Sequence, residues 1–186
     1  RVVTNVLGFT RLERGTLEVS TEPLDPAVAL AELVDRLRPA VENNGAVIAF
    51  DAGDYNGTVD ADREALGQVV QNLIDNAVAA VSHESSPAIT VVFSMNQSDL
   101  VVKVKDNGCG IEAKALRWIF EPFDNTATIE KGAGLGLFIT KKVLEEHRGT
   151  LEFESRVGEG SVVTVRVPQA HTALGYFSRP ESMIQS

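Results

Sequence analysis

Residues 132–138 read GAGLGLF, a run in which glycines alternate with small or apolar residues. The stretch that follows, ITKKVLEEH, has the spacing of a helix. Glycines allow close approach to the backbone, and the free N–H groups at a helix N-terminus bind anions. The run is therefore a candidate phosphate site, beside two other readings: a helix that needs close packing, or a bare turn.

The segment before the glycine run decides between nucleotide-binding folds. A Rossmann fingerprint requires a strand directly before its glycines. Residues 121–134, EPFDNTATIEKGAG, instead show no periodicity. The Rossmann fold is therefore disfavoured, and the short polar stretch DNTATIEK has the character of a loop that closes over a ligand.

The rest of the chain alternates between strand and helix patterns. Helices are predicted over 1–14, from Asp25-Pro26 to about 42, over 60–81, within 112–120, and from the glycine run to about His147. Strands are predicted over 16–25, 46–52, 88–94, 100–106, 150–155 and 161–168. Because closely spaced strands favour antiparallel pairing, we expect an α+β two-layer sandwich. Its mixed, mainly antiparallel sheet has helices packed on one face.

Two of these helices carry the predicted core. The first begins with an acid at the N-cap and proline at the first helical position. Its apolar stripe is predicted to comprise Val28, Ala31, Leu33, Val34, Leu37 and Val41. The helix over 60–81 has the strongest pattern, with apolar residues recurring at Leu66, Val69, Val70, Leu73, Ala77 and Val81.

Composition narrows the classes of protein. The 186 residues suffice for one domain with a core, and the formal net charge of −9 argues against a nucleic-acid partner. A single cysteine, Cys109, excludes an internal disulfide. No apolar run approaches the roughly 20 residues that span a bilayer. We expect a cytoplasmic fragment of a longer protein, and leave open whether the intact protein is anchored to a membrane.

Four motifs follow one another along the chain: QNLIDNAVAAV (71–81), DNGCGI (106–111), IFEPF (119–123) and GAGLGLF (132–138). In this order they resemble the asparagine box, first glycine box, phenylalanine box and second glycine box of sensor histidine kinases. These kinases share a superfamily with DNA gyrase, a heat-shock chaperone and mismatch-repair ATPases. The flanks agree, since LERGTLEVS is similar to the junction after the dimerisation helices and GTLEFESRVGEGSVVTVRVP to the closing hairpin.

The resemblance implies a division of the chain and a ligand. Residues 1–15 are expected to end the dimerisation and phosphoacceptor helix, 16–168 to form the ATP-binding catalytic domain of Bergerat-type fold, and 169–186 to be a C-terminal tail. ATP and Mg²⁺ are the implied cofactors. Asn72 and Asn76, one turn apart on a helix, are the implied catalytic pair, because an amide oxygen can ligate Mg²⁺. Asn76 is implied as the metal ligand and Asn72 as a helper near the phosphates.

The other implied contacts surround the nucleotide. Asp106 is expected to accept from the adenine amine, and Gly108 and Gly110 to let the backbone pass close to the ring. The resemblance places further nucleotide contacts at Ile111, Phe120, Phe123, Lys131, Gly132, Gly134, Leu135, Gly136 and Leu137. Phe120 and Phe123 would also anchor the hinge of the lid.

The implied reaction is transfer of the ATP γ-phosphate to a histidine. The histidines His83, His147 and His171 do not lie in a helix before the ATP domain, so the acceptor is expected upstream of Arg1. His147 is expected to be a capping or packing residue. The implied partners are the dimerisation and phosphoacceptor domain of the same protein, as a homodimer, and a receiver domain of a response regulator.

Position 72 and two departures from the family bear on activity. Hydrolysing relatives place a glutamate base where this chain has Asn72, so phosphoryl transfer is favoured over hydrolysis. Ala79 and Ala80 stand where relatives often have a basic residue and a tyrosine. They keep open a nucleotide-binding regulatory module without kinase activity. A serine kinase similar to anti-sigma factors is a further alternative.

Overall fold

The computed structural model describes residues 20–96, 99–117, 119 and 136–168. In chain order the elements are β1 (Glu22–Leu24), α1 (Pro26–Glu42), β2 (Val47–Asp51), β3 (Val59–Ala61), α2 (Arg63–Ala80), β4 (Ala88–Asn96), β5 (Asp99–Asp106), a 3₁₀ turn (Ala115–Arg117), α3 (Gly136–Glu146), β6 (Thr150–Arg156) and β7 (Gly160–Pro168). The helix predicted over 1–14, the lid and the tail lie outside the described residues.

A five-stranded mixed sheet has the order β2-β4-β5-β7-β6. The β2–β4 pair is parallel, and the other three pairs are antiparallel. The predicted hairpin between residues 88 and 106 is confirmed, with Met95 opposite Leu100 in its register. The closing hairpin is also confirmed, as β6 and β7.

The helices α1, α2 and α3 pack against this sheet and against one another. The buried core draws on both layers, with Val34, Val70, Val91, Val102, Ile139 and Val165 among its least exposed side chains. Each fully buried side chain of this size stabilises the fold by about 1.5–3 kcal/mol. The predicted α+β sandwich with helices on one face is therefore confirmed.

A second sheet was not predicted. β1 and β3 pair antiparallel, with Pro23 opposite Asp60. The prediction that the helix over 60–81 starts at Asp60 is therefore wrong: α2 starts at Arg63, and Asp62 is its N-cap. A strand of three residues is too short to show an alternation, and an acid next to a helix looks like a cap wherever it stands.

The apolar stripe of α1 is confirmed in part. Leu33, Val34 and Val41 are buried, but Val28 is 52% exposed. The stripe instead includes Leu30, which lies about 200° from Val28 around the helix axis at 100° per residue. All six predicted core positions of α2 and its C-cap are buried: Leu66, Val69, Val70, Leu73, Ala77 and Val81.

The predicted ends of α1 are confirmed. Asp25 Oδ1 accepts from Ala27 N at 2.9 Å, and Pro26 is the first helical residue. Pro39 lies inside the helix, which continues to Glu42. Gly45 follows with φ +82°, a left-handed conformation that glycine adopts without strain.

Candidate functional site

Asn72 joins two helices. It lies in the middle of α2, is 9% exposed, and donates from Nδ2 to the Gly136 carbonyl oxygen at 3.3 Å and to Thr140 Oγ1 at 3.4 Å. Since a carbonyl oxygen only accepts, the amide atom that faces Gly136 has to be the nitrogen. The asparagine box and the second glycine box, far apart in sequence, therefore meet at the start of α3.

Asn76 lies one turn further along α2 and is exposed. Within the described part of the chain, its side chain has no hydrogen-bond partner. Residues four apart lie on the same side of a helix, so Asn76 extends the polar edge that Asn72 begins. This amide is available to a ligand.

Asp106 ends β5 and is 5% exposed. Burial raises the pKa of its carboxyl group above the ordinary value, while hydrogen bonds from the backbone N–H groups of Gly108 and Ser161 act in the opposite direction. The bond from Gly108 N to Oδ1 measures 2.9 Å. A carboxylate has about four acceptor positions, so capacity remains for another donor.

Gly108 and Gly110 have packing reasons that sequence reasoning missed. A Cβ on Gly108 would lie 2.5 Å from the backbone carbonyl of Ala80, where α2 ends. The neighbouring Cys109 N–H donates to the same Ala80 oxygen at 3.1 Å. Gly110 has φ +68°, and a Cβ there would overlap the Arg156 carbonyl.

The loop 106–111 is also fastened to the turn between β6 and β7. Gly158 N donates to Cys109 O at 2.9 Å, and Ile111 N donates to Ser155 Oγ at 2.8 Å. Ser155 Oγ in turn donates to the Gly160 carbonyl at 3.1 Å. The end of β6 and the turn that follows it therefore fix the backbone of the loop that carries Asp106 and Ile111.

Asn107 fastens the same loop on its other side. Its Oδ1 accepts from Ala88 N at 2.8 Å, and its Nδ2 donates to Ser86 O at 2.9 Å. Sequence reasoning treated Asn107 as part of a turn motif and gave it no role. Ser155 carried no signal at all, because its place in a strand pattern suits a surface residue.

The first residue of α3 faces Asn72. Gly136 is its first residue, and an added Cβ would lie 3.9 Å from Asn72 Cγ and Oδ1, an ordinary contact distance. Leu137 is half-buried and packs against the core. Several predicted site residues lie outside the described residues: Phe120, Phe123, Lys131, Gly132, Gly134 and Leu135.

His147 follows the last turn of α3 and packs there, in agreement with its predicted role. Its Nδ1 lies 2.8 Å from the Val143 carbonyl, and its Nε2 lies 3.7 Å from Asp62 Oδ2. A cavity of about 540 Å³ lies where α2 begins and α3 ends, and it is lined mainly by apolar side chains. Asn72, Asn76 and Asp106 do not line it.

Two negative findings concern the residues described. They contain no group of three or more His, Cys, Asp or Glu side chains placed to hold a metal ion. A metal at this site would therefore need amide oxygens and oxygens of a ligand. The helices among these residues are also too short or too polar to cross a membrane.

Comparison with known sequences relates residues 61–171 to the family described as histidine kinase-, DNA gyrase B- and HSP90-like ATPases. The chain is 30% identical over 175 residues to the autoinducer 2 sensor kinase/phosphatase LuxQ of Vibrio parahaemolyticus, covering 90% of this chain and 20% of LuxQ. It is 32% identical over 174 residues to the sensor protein SrrB of Staphylococcus aureus, covering 91% of this chain and 29% of SrrB. The chain thus spans less than a third of these relatives.

Solved structures agree with the observed fold. Full-length ShkA in complex with AMPPNP superimposes with a TM-score of 0.78 and 27% identity, over 90% of this chain and 35% of that chain. The nucleotide-free catalytic domain of the histidine kinase ThkA superimposes with a TM-score of 0.70 and 26% identity. That match covers 81% of this chain and 98% of the ThkA domain, so the two are similar in extent as well as in fold.

Proposed function

Because this chain belongs to the histidine kinase-, DNA gyrase B- and HSP90-like ATPase family, we propose that it is the ATP-binding catalytic domain of a sensor histidine kinase. It would bind ATP and transfer the γ-phosphate to a histidine of the same protein. The observation that carries the proposal is the contact of Asn72 with Gly136, which brings the asparagine box to the glycine-rich start of α3.

The residues present fit a magnesium nucleotide. Asn76 is exposed and Asn72 lies one turn away, so α2 offers neutral amide oxygens rather than carboxylates. Mg²⁺ prefers hard oxygen ligands and takes several of them from phosphates and water. When bound, it neutralises charge on the phosphates. Asn76 would ligate the metal, and the N–H groups at the start of α3 would face the phosphates.

Asp106 supports adenine as the base. Its carboxylate keeps acceptor capacity after binding the Gly108 N–H, and adenine offers an exocyclic amine donor. The bonds from Gly158 to Cys109 and from Ile111 to Ser155 hold this loop before any ligand arrives. A preformed loop loses little conformational entropy on binding.

Transfer is favoured over hydrolysis. Asn72 cannot accept a proton at useful pH, and its nitrogen is already bound to α3. His147 is unsuited as an acceptor, because its Nδ1 contacts Val143 and its Nε2 is buried. The acceptor would lie on a dimerisation and phosphoacceptor domain, with the intact protein a homodimer. A receiver domain of a response regulator would take the phosphoryl group next.

The proposal is tested in two steps with the 186-residue chain. Calorimetry measures binding of AMPPNP with Mg²⁺, which we expect for the wild type and expect to be weakened in Asn76→Ala, because alanine has no oxygen for the metal. Asn56→Ala, at an exposed loop residue outside α2, is the matched control and should bind as wild type does. Absence of binding to the wild type would end the proposal.

The second step supplies a helical dimerisation domain with its histidine and labelled ATP. Label that is lost in acid and kept in base supports transfer to histidine. Label that is stable in acid supports the serine-kinase alternative. Binding without label supports the regulatory module that Ala79 and Ala80 leave open.

A further inference from the structure

Thr140 completes the hydrogen bonding of one side-chain nitrogen. It lies one turn after Gly136 in α3, is 0% exposed, and accepts from Asn72 Nδ2 at 3.4 Å. The Gly136 carbonyl accepts from the same nitrogen at 3.3 Å. A side-chain amide nitrogen has two hydrogens, and Asn72 Nδ2 has two acceptors within reach, both on α3. The nitrogen is therefore engaged with α3.

The oxygen of the same amide differs from the nitrogen in its hydrogen bonding. Across the described ranges no group donates to Asn72 Oδ1. A Cβ added to Gly136 would lie 3.9 Å from this oxygen, so the glycine places no side-chain atom against it. The atom of Asn72 that remains for a ligand is therefore Oδ1.

We propose that Thr140 is a positioning residue that holds Asn72 with its oxygen, rather than its nitrogen, toward the magnesium nucleotide. The inference rests on the proposed function and sharpens it. Asn72 then acts as a second amide oxygen beside Asn76, which suits a hard cation. A reversed amide would turn N–H groups toward the cation and repel it.

The chemistry of position 140 supports this role. Valine has nearly the shape of threonine and would fill the buried space without burying a hydroxyl group. The hydroxyl group is what lets this side chain accept from Asn72. Packing alone would therefore be served by valine, whereas the threonine oxygen adds a second acceptor beside the Gly136 carbonyl for the same amide nitrogen.

Two variants of the full 186-residue chain separate packing from orientation. Thr140→Val keeps the shape and loses the acceptor, while Thr140→Ser keeps the acceptor and loses a methyl group. AMPPNP affinity is measured with Mg²⁺ and with EDTA, and the ratio of the two is the magnesium gain. Losing one neutral hydrogen bond predicts a gain reduced roughly three- to tenfold in Thr140→Val, with affinity in EDTA unchanged. Thr140→Ser should keep the wild-type gain although it melts at a lower temperature.

The side-chain amide of Asn72 gives a readout independent of binding. In ¹⁵N-labelled protein, both of its protons should exchange slowly with water in the wild type and in Thr140→Ser. In Thr140→Val one proton should exchange faster. This signature follows from the loss of one acceptor and does not depend on nucleotide.

The outcomes are distinct. A wild-type magnesium gain in Thr140→Val would overturn the positioning role, as would an equal loss in Thr140→Ser, which indicates packing. Failure of the wild type to bind AMPPNP with Mg²⁺ would instead overturn the proposed function, and the inference with it.

Discussion

Asn72 and Gly136 are 64 positions apart in the chain and are joined by a hydrogen bond of 3.3 Å from side-chain amide to backbone carbonyl. This bond ties the middle of α2 to the first turn of α3. Its donor is a side chain and its acceptor is backbone, so substitution at 72 removes it while substitution at 136 need not. The two residues therefore differ in what they contribute to stability.

Asn72→Asp is expected to destabilise the fold. An aspartate would set a second acceptor against the Gly136 carbonyl and leave Thr140 Oγ1 without its donor. The expected loss is about 1–3 kcal/mol in the free energy of unfolding, measured with urea. Asn76→Asp on the same helix is the control and should change stability by less than about 0.5 kcal/mol, since that side chain is exposed. Equal effects would contradict the assigned contact.

Gly108→Ala is expected to be costly. Its Cβ would lie 2.5 Å from the Ala80 carbonyl, so the loop or the end of α2 has to shift. Overpacking of this kind costs about 1–3 kcal/mol, which thermal or urea unfolding detects. Gly67→Ala, inside α2 with nothing within 4 Å of the new Cβ, should instead stabilise the protein by about 0.5–1 kcal/mol. A stabilised Gly108→Ala would refute the packing reason.

Asp62→Ala is expected to weaken the start of α2. The carboxylate accepts from Ala65 N at 2.8 Å and from Ser20 N at 3.1 Å. Loss of such a cap costs about 0.5–2 kcal/mol in urea unfolding. Asp60→Ala, two residues earlier in β3 and exposed, should have little effect. A larger loss of stability in Asp60→Ala than in Asp62→Ala would indicate that the helix starts at Asp60.

Asp106 predicts a pH dependence of stability. Burial raises the pKa of its carboxyl group, so the folded protein binds this proton more tightly than the unfolded chain does. Its contribution is then fully present below the unfolded pKa and is lost as pH rises from there through the raised value. Asp106→Asn does not titrate. The free energy of unfolding of wild type minus variant should therefore fall as pH rises above the ordinary aspartate pKa of about 3.9. A difference that rises would contradict the direction of the shift.

Local signals in the sequence predicted much of the fold. Asp25-Pro26 marks the start of α1 through chemistry that acts within a turn, and the structure has the helix start there. The predictions failed at elements whose packing partner is distant in sequence. The strand β3 exists because β1 lies beside it, and Val28 is exposed because the contacts of α1 select another stripe.

At the candidate site, too, local sequence signals predicted some features, and contacts between distant segments determined the others. The four motifs identified Asn72, Asp106 and Gly136 as site residues, because the residue types and their order carry the family resemblance. They did not reveal Thr140, since a threonine among apolar helix residues looks like core until its neighbour is known. They also did not reveal that position 108 has no room for a Cβ, because the last residue of α2 lies against it. Both facts depend on packing between segments remote in sequence.

The strand β7 also has a consequence for synthesis on the ribosome. It pairs with β5 in a register that runs from Asp99 opposite Pro168 to Asp106 opposite Ser161. The turn that joins it to β6 is hydrogen-bonded to the loop 106–111. A nascent chain that ends before residue 160 therefore has an open edge on β5 and an unfastened loop 106–111. Such an edge is a template for pairing with another chain. Translation has to deliver the last hairpin before this edge is covered and the loop 106–111 is held in place.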